Sequence, residues 1–310
     1  MKIAVTGGAG FIGSNIAEAY VEGGHEVLVI DDLSSGVKAQ VPPRATFVQA
    51  DVRSPEAASA IEAFKPEVVN LHAAQIDVRR SVTDPAYDAS VNIGGALNVL
   101  EAARRTGTLK RIIYAASGGS MYGESQVVPT PETEPAAAVS PYGVAKAAVE
   151  QYLFAYRAMY GIHYVALRYA NVYGPRQNPH GEAGVVAIFT DRLLTGKQCT
   201  IFGDGGQTRD FVYVYDVVNA NVSALTCELV GGVNIATGVE TTLNVVYKTL
   251  AKAAGLVAPV VYADGKLGEQ RRSVLANAKA IKALRWVPQW DVERGLTSTV
   301  EWFRKNRKSA

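Results

Sequence analysis

The chain has 310 residues, the length of one large domain or of two packed lobes. Lys and Arg total 31 against 29 for Asp and Glu, so the net charge of +2 offers no strong field to nucleic acid or an anionic membrane. Hydrophobic residues make up 48% of the sequence and charged residues 19%, which excludes an intrinsically disordered chain. We expect a globular protein with no nucleic-acid partner.

The cysteines, the histidines and the apolar runs exclude further classes of protein. Cys199 and Cys227 are the two cysteines and form no C-x-x-C pair, which excludes a disulfide scaffold and a cysteine-rich zinc module. The four histidines never stand at metal-ligand spacing, so we expect no metal. No apolar run reaches the roughly 18 residues that span a bilayer, and the sequence opens on an apparent strand instead of a signal peptide. The sequence predicts a cytoplasmic protein with no membrane partner.

Short apolar runs alternate with helical stretches through the first half of the chain. The predicted strands cover residues 2–6, 26–31, 46–50, 68–72 and 111–116, each rich in Val and Ile and bounded by Gly, Asp or Ser. Helical patterns lie between them, as at residues 10–22 and 91–106. Continuous apolar strands separated by helices indicate an α/β fold, a doubly wound parallel sheet covered on both faces.

The regular alternation weakens after about residue 171. A helix over residues 142–160 is followed by a sixth strand over 164–172, and then by a long loop over 173–182. Shorter helices and strands come next, separated by glycine-containing turns at 203–206 and 264–265. We expect a nucleotide-binding lobe over residues 1–170 and a smaller substrate-binding lobe over 171–310, with the chain partly interwoven between them.

A glycine-rich segment, Thr6-Gly7-Gly8-Ala9-Gly10-Phe11-Ile12-Gly13, joins the first strand to the first helix. Gly7, Gly10 and Gly13 permit a tight turn, close approach of the backbone to a pyrophosphate and close helix–strand packing. The helix N-terminus at Phe11 and Ile12 offers unpaired N–H groups and a partial positive charge to phosphates. A glycine turn can be purely structural, but the strand–turn–helix context predicts dinucleotide binding.

Acidic residues follow the second and third strands. Asp31 would accept hydrogen bonds from ribose hydroxyls and repel a 2′-phosphate, and Asp32 adds negative charge beside it. This pattern favours NAD over NADP, with a solvated Asp pair in a turn as the alternative. Asp51 and Val52 are candidate adenine contacts, although an Asp there could equally cap the next helix.

Tyr142 and Lys146 stand four residues apart on a predicted helix, and therefore on one face of it. Ser140-Pro141 supplies a suitable cap and first-turn proline. A tyrosine acting as a base near pH 7 needs its pKa lowered by about 3 units, roughly 4 kcal/mol, and a nearby ammonium and a nicotinamide cation would both lower it. Tyr262 and Lys266 match the same spacing but flank an Asp-Gly turn, so only the first pair predicts chemistry.

With these residues the chain resembles the UDP-glucose 4-epimerase family of extended short-chain dehydrogenases/reductases, nearly end to end. Besides the glycine turn and the Tyr–Lys helix, the matching segments are Asp31-Asp-Leu-Ser-Ser-Gly36, His72-Ala-Ala-Gln75, Met121-Tyr-Gly123, Leu167-Arg-Tyr-Ala-Asn-Val-Tyr-Gly-Pro-Arg176 and Gly203-Asp-Gly-Gly-Gln-Thr-Arg-Asp210. The last two are more specific than the glycine turn, because plain reductases lack them. The resemblance implies a Rossmann-type fold, NAD as cofactor and a UDP-hexose substrate.

The resemblance also implies site residues. Around NAD it adds Ser35, Gly36, Leu71, Ala73, Ala74, Asn92 and Tyr169 to the glycine turn, the acidic residues, Tyr142 and Lys146. Around the UDP-sugar it implies Ser117, Gly118, Asn171, Gly184, Val185, Val186, Ile201, Phe202, Arg209, Lys266, Glu269, Arg271 and Ser273. Arg209 could instead pair with its neighbour Asp210, and Arg168 is as readily structural as functional.

Two departures from the family pattern matter. The family places a serine four residues before the tyrosine of its Tyr-Gly motif, where this chain has Gly118, so we expect Ser117 to replace it, with Ser120 next. Lys266 stands where many relatives have a diphosphate-binding arginine, and a lysine cannot bind a phosphate in a bidentate manner. Ser273 stands at the position that limits sugar size in the family, and a small residue there admits an N-acetyl group.

The implied reaction is 4-epimerisation of a UDP-hexose through a 4-keto intermediate, with Tyr142, Lys146 and Ser117 as catalytic residues. The family also implies a homodimer formed through a four-helix bundle. Alternatives are a 4,6-dehydratase, a decarboxylase, a UDP-glucuronate 4-epimerase and a non-catalytic NAD-sensing regulator. Dehydratases need an Asp-Glu pair and decarboxylases a Glu after the serine, and Gly118-Gly-Ser-Met121 has no carboxylate. A regulator would be expected to lack the Tyr–Lys pair.

Overall fold

A computed structural model describes residues 1–180, 184–256, 260–265 and 270–306. Its strands are β1 Lys2–Thr6, β2 Glu26–Asp31, β3 Thr46–Gln49, β4 Val68–Leu71, β5 Arg111–Ser117, β6 His163–Tyr169, β7 Asn171–Tyr173, β8 Cys199–Phe202, β9 Thr208–Arg209, β10 Phe211–Tyr213, β11 Gly231–Ile235, β12 Thr241–Thr242, β13 Val260–Ala263 and β14 Arg272–Ser273. Its helices are α1 Phe11–Glu22, α2 Pro55–Phe64, α3 Val78–Thr83, α4 Pro85–Ala89, α5 Ala96–Arg105, α6 Gly118–Met121, α7 Pro141–Tyr160, α8 Val185–Leu194, α9 Val214–Ala224, α10 Leu243–Ala254, α11 Ala278–Leu284 and α12 Val292–Asn306. A 3₁₀ turn covers Lys38–Gln40 and a π-helical turn covers Ser90–Gly95.

Seven parallel strands form the central sheet, in the order β11-β6-β5-β4-β1-β2-β3. Strands β1, β4 and β5 are buried almost throughout, since both faces of the sheet are covered. One apolar core lies between the sheet and α1 and α9, and a second lies between the sheet and α2, α5 and α7. The predicted Rossmann-type doubly wound sheet is confirmed.

The direction of winding reverses between β1 and β4, and this reversal opens a crevice at the carboxyl ends of the strands. In open α/β sheets this crevice is the usual ligand site. The glycine turn after β1, the acidic end of β2 and the Tyr–Lys helix all reach the same edge of the sheet, because parallel strands end together there. The fold therefore brings residues far apart in sequence to one cleft.

Two elements differ from their sequence predictions. The predicted strand over 164–172 is two strands: β6 ends at Tyr169, and β7 pairs with β10 in a separate small sheet, where the Asn171 N–H donates to the Asp210 carbonyl at 2.9 Å. The predicted helix over 91–106 begins as the π-helical turn and becomes regular only at Ala96. Both differences arise from pairing and packing with distant segments, which local periodicity does not encode.

The later part of the chain builds short strands over a third apolar core. Strands β8 and β13 pair in parallel, and β9 lies between β12 and β14. Helices α8, α10 and α12 pack together beside them, around Phe189, Leu250 and Val300. Within the described ranges, no helix combines the length and apolar content needed to cross a membrane.

Candidate active site

The glycine turn adopts the conformation that its sequence requires. Gly7 has φ +68°, and a Cβ placed on it would lie 2.6 Å from the backbone nitrogen of Ala73, so any other residue would collide with the end of β4. A Cβ on Gly13 would lie 2.2 Å from the Gly7 carbonyl oxygen. Gly10 caps α1 with extended backbone and no side-chain hydrogen bond, and the first turn of the helix carries no acidic residue. The N–H groups of that turn are therefore available to an anion.

Asp31 is a buried carboxylate on the cleft wall, beside the glycine turn. Its Oδ2 accepts from the Ala9 N–H and its Oδ1 from the Leu33 N–H, both at 2.9 Å. Burial raises the pKa of Asp31, and these two hydrogen bonds oppose the rise. Each carboxylate oxygen keeps a lone pair for a further donor such as a ribose hydroxyl. Asp32 is exposed and accepts from Ser34.

Asp51 does not cap the following helix. Its carboxylate pairs with the Arg53 guanidinium, with the Arg53 Nε atom 3.0 Å from each oxygen, and this hydrogen bonding lowers the pKa of Asp51. The N-cap of α2 is Ser54, whose Oγ accepts from the Ala57 N–H at 3.3 Å. Because Ser54 is the N-cap, the alternative that Asp51 caps this helix is wrong. Asp51 and Val52 lie on the wall of the cleft.

Most predicted cofactor residues share one continuous cleft. Its walls include Gly7, Gly10, Phe11, Ile12, Gly13, Asp31, Asp32, Ser35, Asp51, Val52, Ala73, Ala74, Tyr142, Lys146 and Tyr169. Gly36, Leu71 and Asn92 lie outside this set. A Cβ placed on Gly36 would lie 2.7 Å from Asp31 Oδ1, and Leu71 is buried in β4. The Asn92 amide bonds to Gln75 and Asp88 and supports the cleft wall indirectly.

Ser117, Tyr142 and Lys146 meet at one end of the cleft. Helix α7 begins as predicted, with Ser140 Oγ accepting from the Gly143 N–H at 3.2 Å and Pro141 in the first turn. Ser117, at the end of β5, acts on Tyr142 and favours its ionised form. The Lys146 ammonium donates to the Ala115 carbonyl at 2.9 Å and lies 5.7 Å from the centroid of the Tyr142 ring.

The two titratable groups of this centre are shifted in opposite senses. Burial raises the pKa of Tyr142 to about 12, and the hydrogen bond from Ser117 only partly opposes it. Burial lowers the pKa of Lys146 to about 8, although the nearby Asp88 carboxylate favours its charged form. In the chain without cofactor, burial therefore keeps the pKa of Tyr142 above its usual value, whereas the lowering expected from Lys146 and a nicotinamide cation concerns the cofactor-bound protein.

Asp88 is a charged group that the sequence reasoning missed. It is 1% exposed, and its Oδ1 accepts from Gln75 Nε2 and Asn92 Nδ2, both at 2.9 Å. Its Oδ2 has no hydrogen-bond partner among the described residues. Its charge acts on both Tyr142 and Lys146. The signal available in the sequence was weak, since an Asp within an apparent helix is usually solvated.

A second cavity is lined in part by β7. The predicted residues on its wall are Asn171, Gly184, Val185, Val186 and Arg209, joined by Val172, Tyr173, Gln177, Phe211 and Leu243. Gln177 was not predicted; its buried Oε1 has no partner among the described residues, so it can accept from a ligand donor. The Asp210 carboxylate accepts hydrogen bonds from Thr237 and Gly238 at 2.7–2.8 Å. These bonds, and not the predicted alternative of a pair with Arg209, hold this carboxylate.

Four other predicted substrate residues lie near this cavity but not on its wall. Ile201 is buried in β8, and Phe202 beside it is 39% exposed. Arg271 forms an exposed ion pair with Asp204 at 2.7 Å. Ser273 is half-buried opposite Arg209 in the β9–β14 register, and its carbonyl accepts from the Asp210 N–H at 2.9 Å. Lys266 and Glu269 lie outside the described residues.

The structure also explains the glycine at position 118. Gly118 is buried, and a Cβ placed on it would lie 2.3 Å from Leu275 Cδ1. Leu275 therefore occupies the space that a serine side chain would need. Ser117 acts on Tyr142 and therefore stays the candidate for the role of the missing serine.

Arg168 is structural in this arrangement. Its guanidinium contacts both Glu150 oxygens, at 3.0 and 2.7 Å, and donates to the Tyr122 hydroxyl at 2.7 Å. The described residues contain no group of three His, Cys, Asp or Glu side chains that could hold a metal ion.

A parallel sheet with a glycine turn, an acidic end of β2 and a buried Tyr–Lys pair defines a Rossmann-type dinucleotide-binding enzyme. Residues 3–236 match the NAD dependent epimerase/dehydratase family. The UDP-glucose 4-epimerase of Mycolicibacterium smegmatis is 44% identical over 98% of this chain and 99% of its own length. The chain belongs to the NAD-dependent epimerase/dehydratase family.

Solved structures agree with this assignment. The UDP-glucose 4-epimerase of Thermotoga maritima, solved with UDP-glucose, is 46% identical with a TM-score of 0.96, covering 99% of this chain and 100% of that one. The UDP-glucose 4-epimerase of Thermus thermophilus, solved with NAD, is 43% identical with a TM-score of 0.93, covering 98% of this chain and 99% of that one.

Proposed function

We propose that the protein is an NAD-dependent 4-epimerase that interconverts UDP-glucose and UDP-galactose through a 4-keto sugar. The observation that carries this proposal is the buried pair of Tyr142 and Lys146 on the wall of a dinucleotide cleft, with Ser117 acting on Tyr142. A second cavity with Arg209 on its wall lies nearby and suits a nucleotide diphosphate, since a guanidinium binds phosphate oxygens strongly.

The cofactor cleft fits NAD in three respects. The uncapped N-terminus of α1 suits the pyrophosphate, Asp31 has lone pairs for the adenosine ribose, and Tyr142, Lys146 and Tyr169 line the far end. With NAD held there, hydride transfer from C4 of the sugar and back to the opposite face would become available, and the cofactor would be regenerated in each turnover.

Tyr142 moves the proton in this scheme. Its phenolate takes the proton of the 4-hydroxyl when that carbon is oxidised and gives it back when the ketone is reduced. Ser117, which acts on Tyr142, orients the same hydroxyl. Lys146 stabilises the phenolate: at an effective dielectric constant of about 20, unit charges about 6 Å apart interact by roughly 3 kcal/mol, or about 2 pKa units.

Incubation with UDP-galactose, without added NAD, tests the proposal. We expect UDP-glucose as product and full retention of deuterium placed at C4, because the hydride leaves and returns within one turnover. A requirement for stoichiometric NAD or NADH would contradict epimerisation. Formation of a 4-keto-6-deoxy sugar would identify a dehydratase, and turnover of UDP-glucuronate alone would identify the uronate epimerase.

Ser273 supports a broader substrate range. Its small side chain lies opposite Arg209, beside the proposed diphosphate site, and leaves room for an acetamido group. We therefore expect turnover of UDP-N-acetylglucosamine and UDP-N-acetylgalactosamine as well. Ser273→Tyr should abolish these two activities and spare UDP-galactose, while Ser273→Ala should preserve all of them. Equal loss of every activity in the Tyr variant would exclude Ser273 as the residue that limits sugar size.

The proposed enzyme acts as a homodimer. Val144, Tyr152 and Met159 lie along one side of α7 and are 54%, 43% and 62% exposed, which leaves an apolar stripe. Pairing α5 and α7 with the same helices of a second copy would bury it in a four-helix bundle. Light scattering should give about twice the chain mass of 33.0 kDa at micromolar concentration, and a monomer mass would contradict this arrangement.

A further inference from the structure

Four side chains form a closed ring of hydrogen bonds beneath the reacting end of the cofactor cleft. Tyr169 and His72 are 3.0 Å apart, from the hydroxyl to Nε2, and His72 Nδ1 contacts Asn70 Oδ1. Asn70 Nδ2 donates to Asn221 Oδ1 at 3.0 Å, and Asn221 Nδ2 donates to the Tyr169 hydroxyl at 2.8 Å. The ring joins β4, β6 and α9 and so crosses the layers of the fold.

A backbone carbonyl fixes the direction of every bond in this ring. Asn221 Nδ2 also donates to the Val217 carbonyl at 2.8 Å, so its amide cannot be flipped and its Oδ1 must face Asn70. Asn70 then turns its nitrogen to Asn221 and its oxygen to His72. That oxygen needs a donor, so His72 carries its proton on Nδ1 and accepts from the Tyr169 hydroxyl through Nε2.

The neutral form of His72 is enforced from two sides. Burial and, to a smaller extent, the charge of Lys146 together lower the pKa of His72 to about 3. The other titratable group in contact with the ring is Tyr20, which accepts from Asn70 Nδ2 at 2.8 Å, and burial raises its pKa. Asn70, Asn221 and Tyr20 are fully buried, so each member is satisfied inside the protein and not by water.

Only two members of the ring reach the cleft. His72 and Tyr169 line its wall together with Tyr142 and Lys146, and the His72 and Tyr169 rings are 5.9 Å apart. The Tyr169 hydroxyl accepts from Asn221 and donates to His72, so two opposed bonds fix the position of its ring.

We propose that His72, in its neutral Nδ1–H form, is a positioning residue that holds Tyr169 against the nicotinamide end of the bound cofactor. The identity of that cofactor rests on the proposed function. Loss of His72 would leave the Asn70 Oδ1 atom without a donor and the Tyr169 hydroxyl without an acceptor. Tyr169 would then keep only its bond from Asn221 and could leave its place on the cleft wall.

Two substitutions separate positioning from simple packing. His72→Leu fills a similar volume but supplies neither a donor nor an acceptor. His72→Gln supplies one of each from its amide, so it can restore both bonds. His163→Gln is the matched control, because His163 contacts the Glu228 carbonyl at the far end of β6 and takes no part in the cleft.

We expect His72→Leu to raise the dissociation constant for NAD by about tenfold or more and to lower kcat, with KM for UDP-galactose within twofold of wild type. His72→Gln should recover most of the affinity. The effects of His72→Leu and Tyr169→Phe should be strongly non-additive in the double variant, because both break the same bond. Nitrogen-15 NMR of the imidazole should show the Nδ1–H tautomer and no titration between pH 5.5 and 8.

Several results would overturn the proposal: an Nε2–H tautomer, titration in that pH range, NAD affinity within twofold of wild type in His72→Leu, or additive effects in the double variant. If His72→Leu fails to fold, His72→Gln and the NMR measurement decide. The NMR and NAD-binding results do not depend on sugar turnover. A wild-type protein that binds NAD but epimerises nothing would therefore refute the proposed function. The role of His72 would still be decided by the NMR and NAD-binding results.

Discussion

Helix α7 carries one buried cation, Lys146, and contacts a second, half-buried one, Arg168. The two cations differ in whether a carboxylate neutralises them. Lys146 is 4% exposed and donates to a carbonyl, with no carboxylate in hydrogen-bond contact, and burial lowers its pKa to about 8. One turn further on, Glu150 forms a bidentate pair with the Arg168 guanidinium. The pair raises the pKa of Arg168 despite its burial.

The difference separates a functional charge from a structural one. Arg168 is neutralised by Glu150 and further bonded to Tyr122, so it joins α7, β6 and the turn after β5 without chemical consequence. Lys146 keeps an incompletely compensated charge next to a phenol that must ionise. Strongly perturbed groups in a cleft are the expected mark of a reaction centre, whereas a complete ion pair is not.

The largest expected effect is on turnover. Tyr142→Phe should lower kcat by several orders of magnitude and leave NAD bound, because it removes only the group that carries the proton. Tyr215→Phe, at an exposed position on α9 that lies on neither cavity wall, is the control and should behave as wild type. Activity of the Tyr142 variant within tenfold of wild type, measured by product separation, would show that another group moves the proton.

The structural pair should respond in stability. Glu150→Gln leaves the Arg168 charge buried without its partner, so the free energy of unfolding should fall by about 3 kcal/mol or more. Glu62→Gln removes an exposed partner of Arg105 and should cost less than about 1 kcal/mol. Denaturant unfolding measures both, and equal losses would contradict the contrast between buried and exposed pairs.

Removal of the Lys146 charge should instead raise the free energy of unfolding. Its folded pKa of about 8 lies below the reference value of 10.5, so the folded state is penalised while the lysine is charged. Lys146→Met should therefore stabilise the fold by about 2–3 kcal/mol below pH 8. This gain should decline between pH 8 and 10.5 and vanish above, since the unfolded lysine then also loses its proton. A destabilised variant at pH 7 would contradict this interpretation.

The smallest effect concerns the serine. Ser117→Ala should lower kcat about 10- to 100-fold, the scale of one orienting hydrogen bond of roughly 1.5–3 kcal/mol. Ser120→Ala should stay within twofold of wild type, because Ser117 and not Ser120 favours the ionised form of Tyr142. The reverse outcome, measured on UDP-galactose, would move this role to Ser120.

The contrast also shows how much the sequence could predict. The glycine turn, the acidic end of β2 and the cap of α7 are local signals, and six strands of the main sheet follow from apolar periodicity, so these were predicted. The seventh strand, β11, was not predicted, because its pairing with β6 is a contact between distant segments. Tyr262 likewise lies on β13, not on a helix, as its Asp-Gly turn indicated. The split after Tyr169 was missed because β7 pairs with a strand about forty residues further on.

Polar networks were the least predictable part. Asn70 and Asn221 are 151 positions apart and bond to each other, and no local pattern marks either residue. The rise in the Tyr142 pKa without cofactor was missed for a similar reason, since burial depends on how α7 packs. Gly118 could be flagged as unusual from the sequence, but the leucine that fills its space comes from the opposite end of the chain.

Ionisation of Tyr142 tests the account most directly. The absorbance of phenolate near 295 nm, taken as the difference between wild type and Tyr142→Phe, would be followed from pH 6 to 10 with and without NAD. We predict no ionisation of Tyr142 in this range without cofactor, since burial raises its pKa to about 12, and ionisation at clearly lower pH with NAD bound. Ionisation near pH 7 without NAD, or identical curves with and without it, would contradict the account.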